Sequence, residues 1–549
     1  MTDQELLLPT DSANGKARER AMDSIDTATQ ATSLVAYRSD GHVLIVGAEA
    51  DAVAARGRLP GGIGATLLST SDAVKKTNDS IYCARLVSLT GYLGAFVAEV
   101  DGGDERIINL AQADGIESSC FDLVLDLSPV PLIASAIPPP GYFAPAGDAA
   151  LLDRAITKIP ELVGEFEKPK YFEYDPSICA HSRSGVDGCR RCIDACPTDA
   201  IASMADGVDV NPFLCQGGGS CATACPSGAI RYAFPGANDL LDSLRHMLRA
   251  YRDADGTGAC VLFYDRERGH DIAMQHAARM GGNVLPFVVE EIGSVGLDVW
   301  LAVLAYGAER VMLLANDSIP AAIRREVDHQ LSIGHRLLAG MGYAPQRISW
   351  LDAADYPDTV GVPTDAAFGN AAAGFAAVGG KRAVLRMALD HLHDCAPARA
   401  DCIELPDGAP FGAIQLDADA CTLCMACVSV CPAGALEDGG DSPALRFIEW
   451  NCVQCGICES ACPEHAIRRE PRYLLDAERR LSTCELKSEE PFRCVQCGKA
   501  FATQSVIRRM HEKLAGHRMF KDASALRRLE MCEDCRVKDM FTESGNYLS

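Results

Sequence analysis

Residues 421–432 read CTLCMACVSVCP, and residues 452–463 read CVQCGICESACP. Both stretches follow one spacing, C-x2-C-x2-C-x3-C-P, in which three cysteines share a short loop and the fourth precedes a proline. The chain holds 25 cysteines in total, and most of them fall into three groups. Cysteines at such short, repeated intervals are typical of metal-centre ligands.

The repeated spacing resembles that of bacterial two-cluster ferredoxins, in which the fourth cysteine of each run binds the other cluster. The resemblance implies two interleaved 4Fe–4S sites. Cluster C takes Cys421, Cys424, Cys427 and Cys462, and cluster D takes Cys452, Cys455, Cys458 and Cys431. Two zinc sites are the alternative, but four cysteines each at zinc-finger spacing do not explain two C-x2-C-x2-C runs.

An earlier group of cysteines is an altered copy of this module. The segments CPTDAI, CPSGAI, CPAGAL and CPEHAI align, and they begin at Cys196, Cys225, Cys431 and Cys462. The copy departs from the pattern twice. Val186 stands where the first run should begin, so the nearest substitute is Cys179, and Gly218 replaces the second cysteine of the second run.

When the ferredoxin ligand pattern is applied to this copy, cluster A takes Cys179, Cys189, Cys192 and Cys225. His181 is either a rival ligand or a surface-loop histidine. Cluster B retains only Cys196, Cys215 and Cys221. Three thiolates suit a 3Fe–4S cluster or a cubane whose fourth iron binds water or a carboxylate, and loss of the cluster is the remaining alternative. The glycines at 217–219 permit close backbone approach, which either covers the site or opens it to a partner.

The third group comprises two C-x2-C pairs, Cys494 with Cys497 and Cys532 with Cys535. Two such pairs predict a tetrahedral thiolate site that holds structural zinc in a zinc-ribbon-like domain. The alternatives are a rubredoxin-like iron or a further cluster that includes Cys484. The intervening residues 505–528 predict a basic helix, which is either a solvated face or a docking surface for an acidic partner.

Composition excludes several classes of protein. The chain has 549 residues, is 48% hydrophobic and carries a net charge of −24, which argues against nucleic acid and anionic membranes as partners. The most apolar stretch, residues 295–315, contains Asp298, Glu309 and Arg310, so we expect no membrane span. We also expect no secretory signal and therefore a cytoplasmic protein, in which cysteines do not form a disulfide framework.

Between the cysteine groups, short apolar runs alternate with helical patterns. Strands are predicted at residues 42–46, 121–127, 259–263 and 311–314, and helices at 318–338 and 379–393. The Rossmann-like strand at 43–47 lacks the glycines of a phosphate cradle, so we expect no NAD or flavin there. The fold class is therefore multidomain, α/β and α+β. The expected domains are a flexible tail (1–30), an α/β domain (31–165), an atypical two-cluster ferredoxin module (166–235), a second α/β domain (236–400), a two-cluster ferredoxin module (401–475) and a zinc-ribbon-like domain (476–549).

Two wider resemblances bear on function. Residues 261–314 resemble the small iron–sulfur subunit of hydrogenases that partner heterodisulfide reductase, although FYDRER at 263–268 has no cysteine. The whole plan is similar to multi-cluster 4Fe–4S proteins that accompany molybdenum-dependent formate dehydrogenases. It implies a non-catalytic electron-transfer component with three cubanes and an atypical fourth site. The alternatives are a maturation or assembly factor for a partner metalloenzyme and a redox sensor.

Overall fold

The computed structural model describes residues 6, 8–25, 31, 33–69, 75–78, 81–102, 106–183, 185–356, 371–398, 400–440, 442–520 and 522–544. These residues form two α/β units, two small cysteine-rich units and a C-terminal unit. Within these ranges, no helix has the length and apolarity that a bilayer crossing requires.

The N-terminal α/β unit is built on a mainly parallel sheet of order β10-β9-β2-β3-β5-β4. The predicted strands at 42–46 and 121–127 are β2 and β9, which pair in parallel. The helix after β2 carries Glu49 and Asp51 in its first turn, where phosphate would be repelled. The elements of residues 13–169, of which α1 packs on the central unit, are α1 (Ala13–Asp23), β1 (Leu34–Ser39), β2 (His42–Gly47), α2 (Glu49–Arg58), β3 (Gly64–Ser69), β4 (Lys75–Asn78), β5 (Ile81–Cys83), β6 (Leu86–Thr90), β7 (Val97–Asp101), β8 (Ile107–Asn109), α3 (Leu110–Ala113), β9 (Leu123–Asp126), β10 (Tyr142–Phe143), α4 (Ala149–Lys158) and β11 (Gly164–Pro169).

Helix α1 corrects the expectation of a flexible tail over residues 1–30. The face of α1 that carries Ala17 and Ala21 packs on the central α/β unit, and Arg18 is almost fully buried there. The Arg18 guanidinium donates to the carbonyls of Gly281, at 2.7 Å, and Pro9, at 2.6 Å. The sequence did not indicate a packed helix here, because the buried side of α1 consists of small residues and Arg18 instead of large apolar side chains. Residues 1–5, 7 and 26–30 lie outside the described residues.

The first cysteine-rich unit consists of short hairpins and two five-residue helices. Strand β12 pairs with β17, so the unit begins and ends on one ribbon. Its elements are β12 (Phe172–Tyr174), β13 (Ser182–Arg183), β14 (Val186–Asp187), α5 (Arg191–Ala195), β15 (Ile201–Met204), β16 (Gly207–Val210), α6 (Ser220–Ala224) and β17 (Ile230–Tyr232).

The central α/β unit holds a parallel sheet of order β19-β18-β20-β21. All four strands carry buried apolar residues, as expected for a parallel sheet covered on both faces. The predicted strands and helices of this unit are present with shifts of a few residues at their ends. The elements are α7 (Ala237–Asp253), β18 (Cys260–Asp265), α8 (Arg268–His276), β19 (Val284–Val289), α9 (Leu297–Ala305), β20 (Arg310–Ala315), α10 (Ala321–Gly340), β21 (Ile348–Asp352) and α11 (Lys381–Asp394).

The second cysteine-rich unit repeats the plan of the first, and the C-terminal unit continues directly from it. Strand β27 pairs with β25 of the second module, so residues 483–488 belong structurally to that module. The elements are β22 (Cys402–Glu404), β23 (Gly412–Leu416), α12 (Ala426–Val430), β24 (Leu436–Asp438), β25 (Ala444–Ile448), α13 (Ile457–Ala461), β26 (Ile467–Leu474), α14 (Ala477–Leu481), β27 (Thr483–Ser488), β28 (Pro491–Arg493), β29 (Ala500–Thr503), α15 (Gln504–Leu514), α16 (Ala523–Arg527) and α17 (Glu533–Ser544).

Candidate cluster and metal sites

The second module contains two separate cavities, each lined by four cysteines. One cavity is lined by Cys421, Cys424, Cys427 and Cys462. The other is lined by Cys431, Cys452, Cys455 and Cys458. Each cavity therefore receives three thiols from one loop and a fourth from the other run, which is the grouping that the spacing predicts.

The cysteine loops are shaped to turn their thiols inward. Leu423, Met425, Gln454 and Gly456 adopt left-handed backbone conformations, with φ of 52°, 60°, 54° and 85°. The first three lack glycine's conformational freedom, so surrounding contacts must hold the loops in this form.

Several N–H groups point at the sulfur atoms. The backbone N–H of Ala435 donates to Cys431 Sγ and that of Ala466 to Cys462 Sγ, both at 3.3 Å. The Gln454 side-chain amide donates to Cys452 Sγ, also at 3.3 Å. Four thiols around one cavity with donors to sulfur are a donor set that suits iron–sulfur clusters.

Burial opposes ionisation of these thiols. Burial foremost, together with the neighbouring thiols, raises the pKa of Cys427 and Cys455 to about 12. A thiol in such a place stays protonated until a cation compensates the thiolate charge. A cluster bound here would therefore displace these protons, and its iron ions would supply the compensating positive charge.

In the first module, Cys179, Cys189, Cys192 and Cys225 are electrostatic neighbours, and burial foremost, with the other three thiols, raises the pKa of Cys192. His181 is neither the rival ligand nor the surface histidine that the sequence suggested. It is buried, with Nδ1 2.8 Å from the Cys189 carbonyl oxygen and Nε2 2.7 Å from Ser203 Oγ. Since both ring nitrogens are occupied, His181 fixes the cysteine loop instead of binding metal.

The site predicted for cluster B brings together Cys196, Cys215 and Cys221. Burial, together with the thiols of Cys215 and Cys196, raises the pKa of Cys221 well above its usual value. Gly217 and Gly219 have φ of 81° and 75° and take the places of Gln454 and Gly456 in the second module. The loop thus keeps the left-handed pattern of a cluster loop although Gly218 supplies no thiol.

The space beside Gly218 is filled from the central unit. A Cβ at Gly218 would lie 3.2 Å from Pro197 Cγ and 3.1 Å from Cδ1 of Ile323, which is fully buried on α10. In the second module the corresponding Pro432 lines the same cavity as Cys455. A side chain at position 218 would therefore point toward site B. Ile323 packs at the corner of that site where the second module has Cys455.

The two modules touch each other directly. A Cβ on Gly188 would lie 2.3 Å from Ile457 Cγ1, so only glycine fits against α13 at this point. The neighbouring residues Cys189 and Cys455 are close enough for the Cys189 thiol to contribute to the raised pKa of Cys455. The contact brings the predicted A site next to the predicted D site.

The four cysteines of the C-terminal unit converge on one point. Each of Cys494, Cys497, Cys532 and Cys535 offers a sulfur atom within 4.8 Å of the others. Cys497 Sγ and Cys532 Sγ are 3.7 Å apart. Burial alone would raise the pKa of Cys494, but backbone N–H groups of residues 532, 497 and 496 lower it to about 6. A preformed thiolate suits a divalent metal ion.

The C-terminal unit docks beside the first cavity of the second module. Glu464 lines that cavity and forms ion pairs with Arg509, at 2.8 Å, and Lys513, at 3.2 Å. The Thr503 hydroxyl donates to the carbonyl of Thr422 at 2.9 Å. Part of the predicted basic helix is thus paired within the chain and is not a free docking face.

Sequence reasoning missed the basic residues that hold the cysteine loops. Lys487 Nζ donates to the Cys421 carbonyl at 2.5 Å, and Lys168 Nζ donates to the Cys215 carbonyl at 2.6 Å. Arg382 lies over the Trp450 ring and donates to the Cys452 carbonyl at 3.5 Å. Each comes from a distant part of the chain, so no local pattern reveals it. Their positive charge would favour the reduced, more negative state of a cluster held by these loops.

Comparison with known families agrees with this arrangement. Residues 413–463 match a family model described as a 4Fe-4S dicluster domain, and residues 186–229 match a second model with the same description. The chain thus contains two ferredoxin-type 4Fe–4S dicluster domains, which support a multi-cluster iron–sulfur protein with an electron-transfer role. No curated protein matches the chain.

Proposed function

We propose that the chain is an electron-transfer subunit whose four cluster sites form one series in the order B, A, D, C. The observation that carries the proposal is the direct contact of the modules at Gly188 and Ile457, where Cys189 and Cys455 are neighbours. Within the modules, Cys192 contributes to the raised pKa of Cys221, and Cys427 to that of Cys458. Each site in the series therefore has a neighbour close enough for electrostatic interaction.

The ligands in this proposal are the cysteines assigned by spacing. Sites A, C and D hold cubanes, and site B holds a three-iron cluster because its fourth corner has no thiol and faces Ile323. The covered corner argues against a redox sensor that would react with solutes at an open iron. Cys494, Cys497, Cys532 and Cys535 hold zinc, which organises a unit with a small core.

Electrons enter or leave at cluster C. Among its predicted ligands Cys424 is exposed, whereas the predicted ligands of cluster B are only partly exposed and Ile323 of the central unit packs beside Gly218. The partner is a redox protein, and the resemblance noted above favours an oxidoreductase of the formate dehydrogenase type. Anaerobic purification with iron, sulfide and zinc analysis, followed by capture of the native partner, tests this part. A stoichiometric oxidoreductase that reduces the clusters when given its substrate is the expected result.

The maturation or assembly factor is the second candidate. The C-terminal unit favours it, because exposed apolar side chains such as Met519 and Phe541 accompany its metal site. For that function, the captured partner would be an immature enzyme without its own cofactor, and the complex would dissolve once the cofactor is present. An oxidoreductase partner that stays bound when complete would exclude it.

The series itself is tested at the module contact with Gly188→Val. The added side chain would meet Ile457 and the Ala180 carbonyl, so it should separate sites A and D while each module keeps its ligands. In fully reduced protein, we expect the magnetic interaction between clusters A and D to weaken, with unchanged iron content. Gly61→Val, where a Cβ meets nothing within 4 Å, is the control. Unchanged interaction in Gly188→Val would refute the series.

A further inference from the structure

A cavity of about 340 Å³ lies between the first module and the central unit, apart from the four cysteine sites. Helix α6, which contains Cys221 and ends just before Cys225, contributes one wall through Ala222 and Thr223. The first turns of α7, α9 and α11 contribute others. This volume lies within the range of small-molecule sites, and its walls come from separate stretches of sequence.

One end of the cavity suits an anion. Helix α11 has 14 residues and begins after Gly379 and Gly380, with no side-chain cap and no acidic residue in its first turn. A Cβ at Gly380 would meet nothing within 4 Å, so open space lies beside the backbone N–H groups of the first turn of α11. The Lys381 ammonium, which donates to the carbonyls of Ala222 and Thr223, adds positive charge. Free N–H groups at a helix N-terminus attract phosphate.

The other end offers a buried acceptor. Asp298 lies in the first turn of α9, lines the cavity and is only 8% exposed. Within the described ranges it makes no hydrogen bond or ion pair that would satisfy its carboxylate. The carboxylate lines the cavity instead, so a molecule bound there can donate hydrogen bonds to it. Asp239, in the first turn of α7, lines the same cavity and adds a second acceptor.

We propose that this cavity binds a hydroxylated phosphate monoester no larger than a mononucleotide. The phosphate binds at the N-terminus of α11 beside Lys381, and ligand hydroxyl groups donate to Asp298. A sugar phosphate and a mononucleotide share this chemistry. Because Lys381 holds α6 through two carbonyls, an occupied cavity acts on the segment between Cys221 and Cys225.

Calorimetric titration of the anaerobic full-length protein with ribose 5-phosphate, adenosine monophosphate and inorganic phosphate tests the proposal. We expect one saturable site for at least one ester, weaker binding of inorganic phosphate and none of ribose. Asp298→Asn should weaken ester binding roughly tenfold and leave inorganic phosphate unchanged. Tighter binding of ribose 5-phosphate would identify the ligand as a sugar phosphate, and tighter binding of adenosine monophosphate would identify it as a mononucleotide.

Gly380→Asp is the decisive variant. An aspartate at this position caps α11 and occupies its N–H groups, so we expect it to abolish phosphate binding while stabilising the helix. Gly516→Asp, at another open position, adds the same charge elsewhere and should bind normally. Saturable binding that survives in Gly380→Asp, or no binding of any ester by the native protein, would overturn the proposal. Neither result depends on electron transfer, because binding is measured at equilibrium.

Discussion

Restoring a thiol at position 218 should convert cluster B into a cubane. The Gly217 and Gly219 conformations already match those around Cys455, and the φ of Gly218 lies outside the left-handed range, so a cysteine fits the backbone. The missing corner would then receive the ligand that every other cluster loop supplies.

The cost of this substitution comes from one contact. The new Cβ would lie 3.1 Å from Ile323 Cδ1 and 3.2 Å from Pro197 Cγ, a few tenths of an ångström inside ordinary contact. Overpacking of this size costs about 1 kcal/mol. Ile323→Val removes Cδ1 itself and costs about 1 kcal/mol as a single change. The two changes should compensate, so the double variant should be more stable than the sum of the single effects predicts.

Electron paramagnetic resonance and iron analysis follow the conversion. Mildly oxidised native protein should show a three-iron signal at g of about 2, and Gly218→Cys should lose it and gain about one iron per chain. The double variant should convert more completely, and Ile323→Val alone should keep the signal. If native protein has no such signal and Gly218→Cys binds no further iron, site B holds no cluster and the reasoning fails.

Three further predictions address other sites. Cys431→Ser should destroy cluster D and spare cluster C, and spectra that show the reverse would disprove the interleaved ligands. The protein should contain one zinc per chain that is lost in Cys532→Ser; full iron occupancy without zinc would exclude the assignment. Burial and the nearby carboxylates of Asp265, Glu267 and Glu290 raise the pKa of Glu291 to about 7. Because the folded state binds this proton more tightly, stability should fall as pH rises from about 4.5 through 7. Glu291→Gln should remove up to about 3 kcal/mol of this pH-dependent loss in the free energy of unfolding. Unfolding midpoints at pH 5.5 and 8, with exposed Glu117→Gln as control, measure it; an equal effect at both pH values would contradict the prediction.

The sequence predicted what local spacing determines. The two runs at 421–432 and 452–463 fix which cysteines share a loop, and the structure groups the same residues around two cavities. The strands at 42–46 and 311–314 were also predictable, because parallel strands buried on both faces are continuous apolar runs.

Other features depend on contacts between distant segments. His181 is a plain loop histidine in sequence, and only folding buries it between the Cys189 carbonyl and Ser203. Gly188 belongs to no motif in the sequence, and only the fold places Ile457 of the other module against it. The partial cover of cluster B likewise comes from Ile323, more than a hundred residues away along the chain.

The Gly188–Ile457 contact also has a consequence for biosynthesis. The first module leaves the ribosome long before α13 exists, since the whole central unit is translated between them. During that interval the surface of the nascent chain beside Cys189 has no cover from the second module. A cluster loaded into the first module at that stage would meet solvent on a face that the finished protein closes with Ile457.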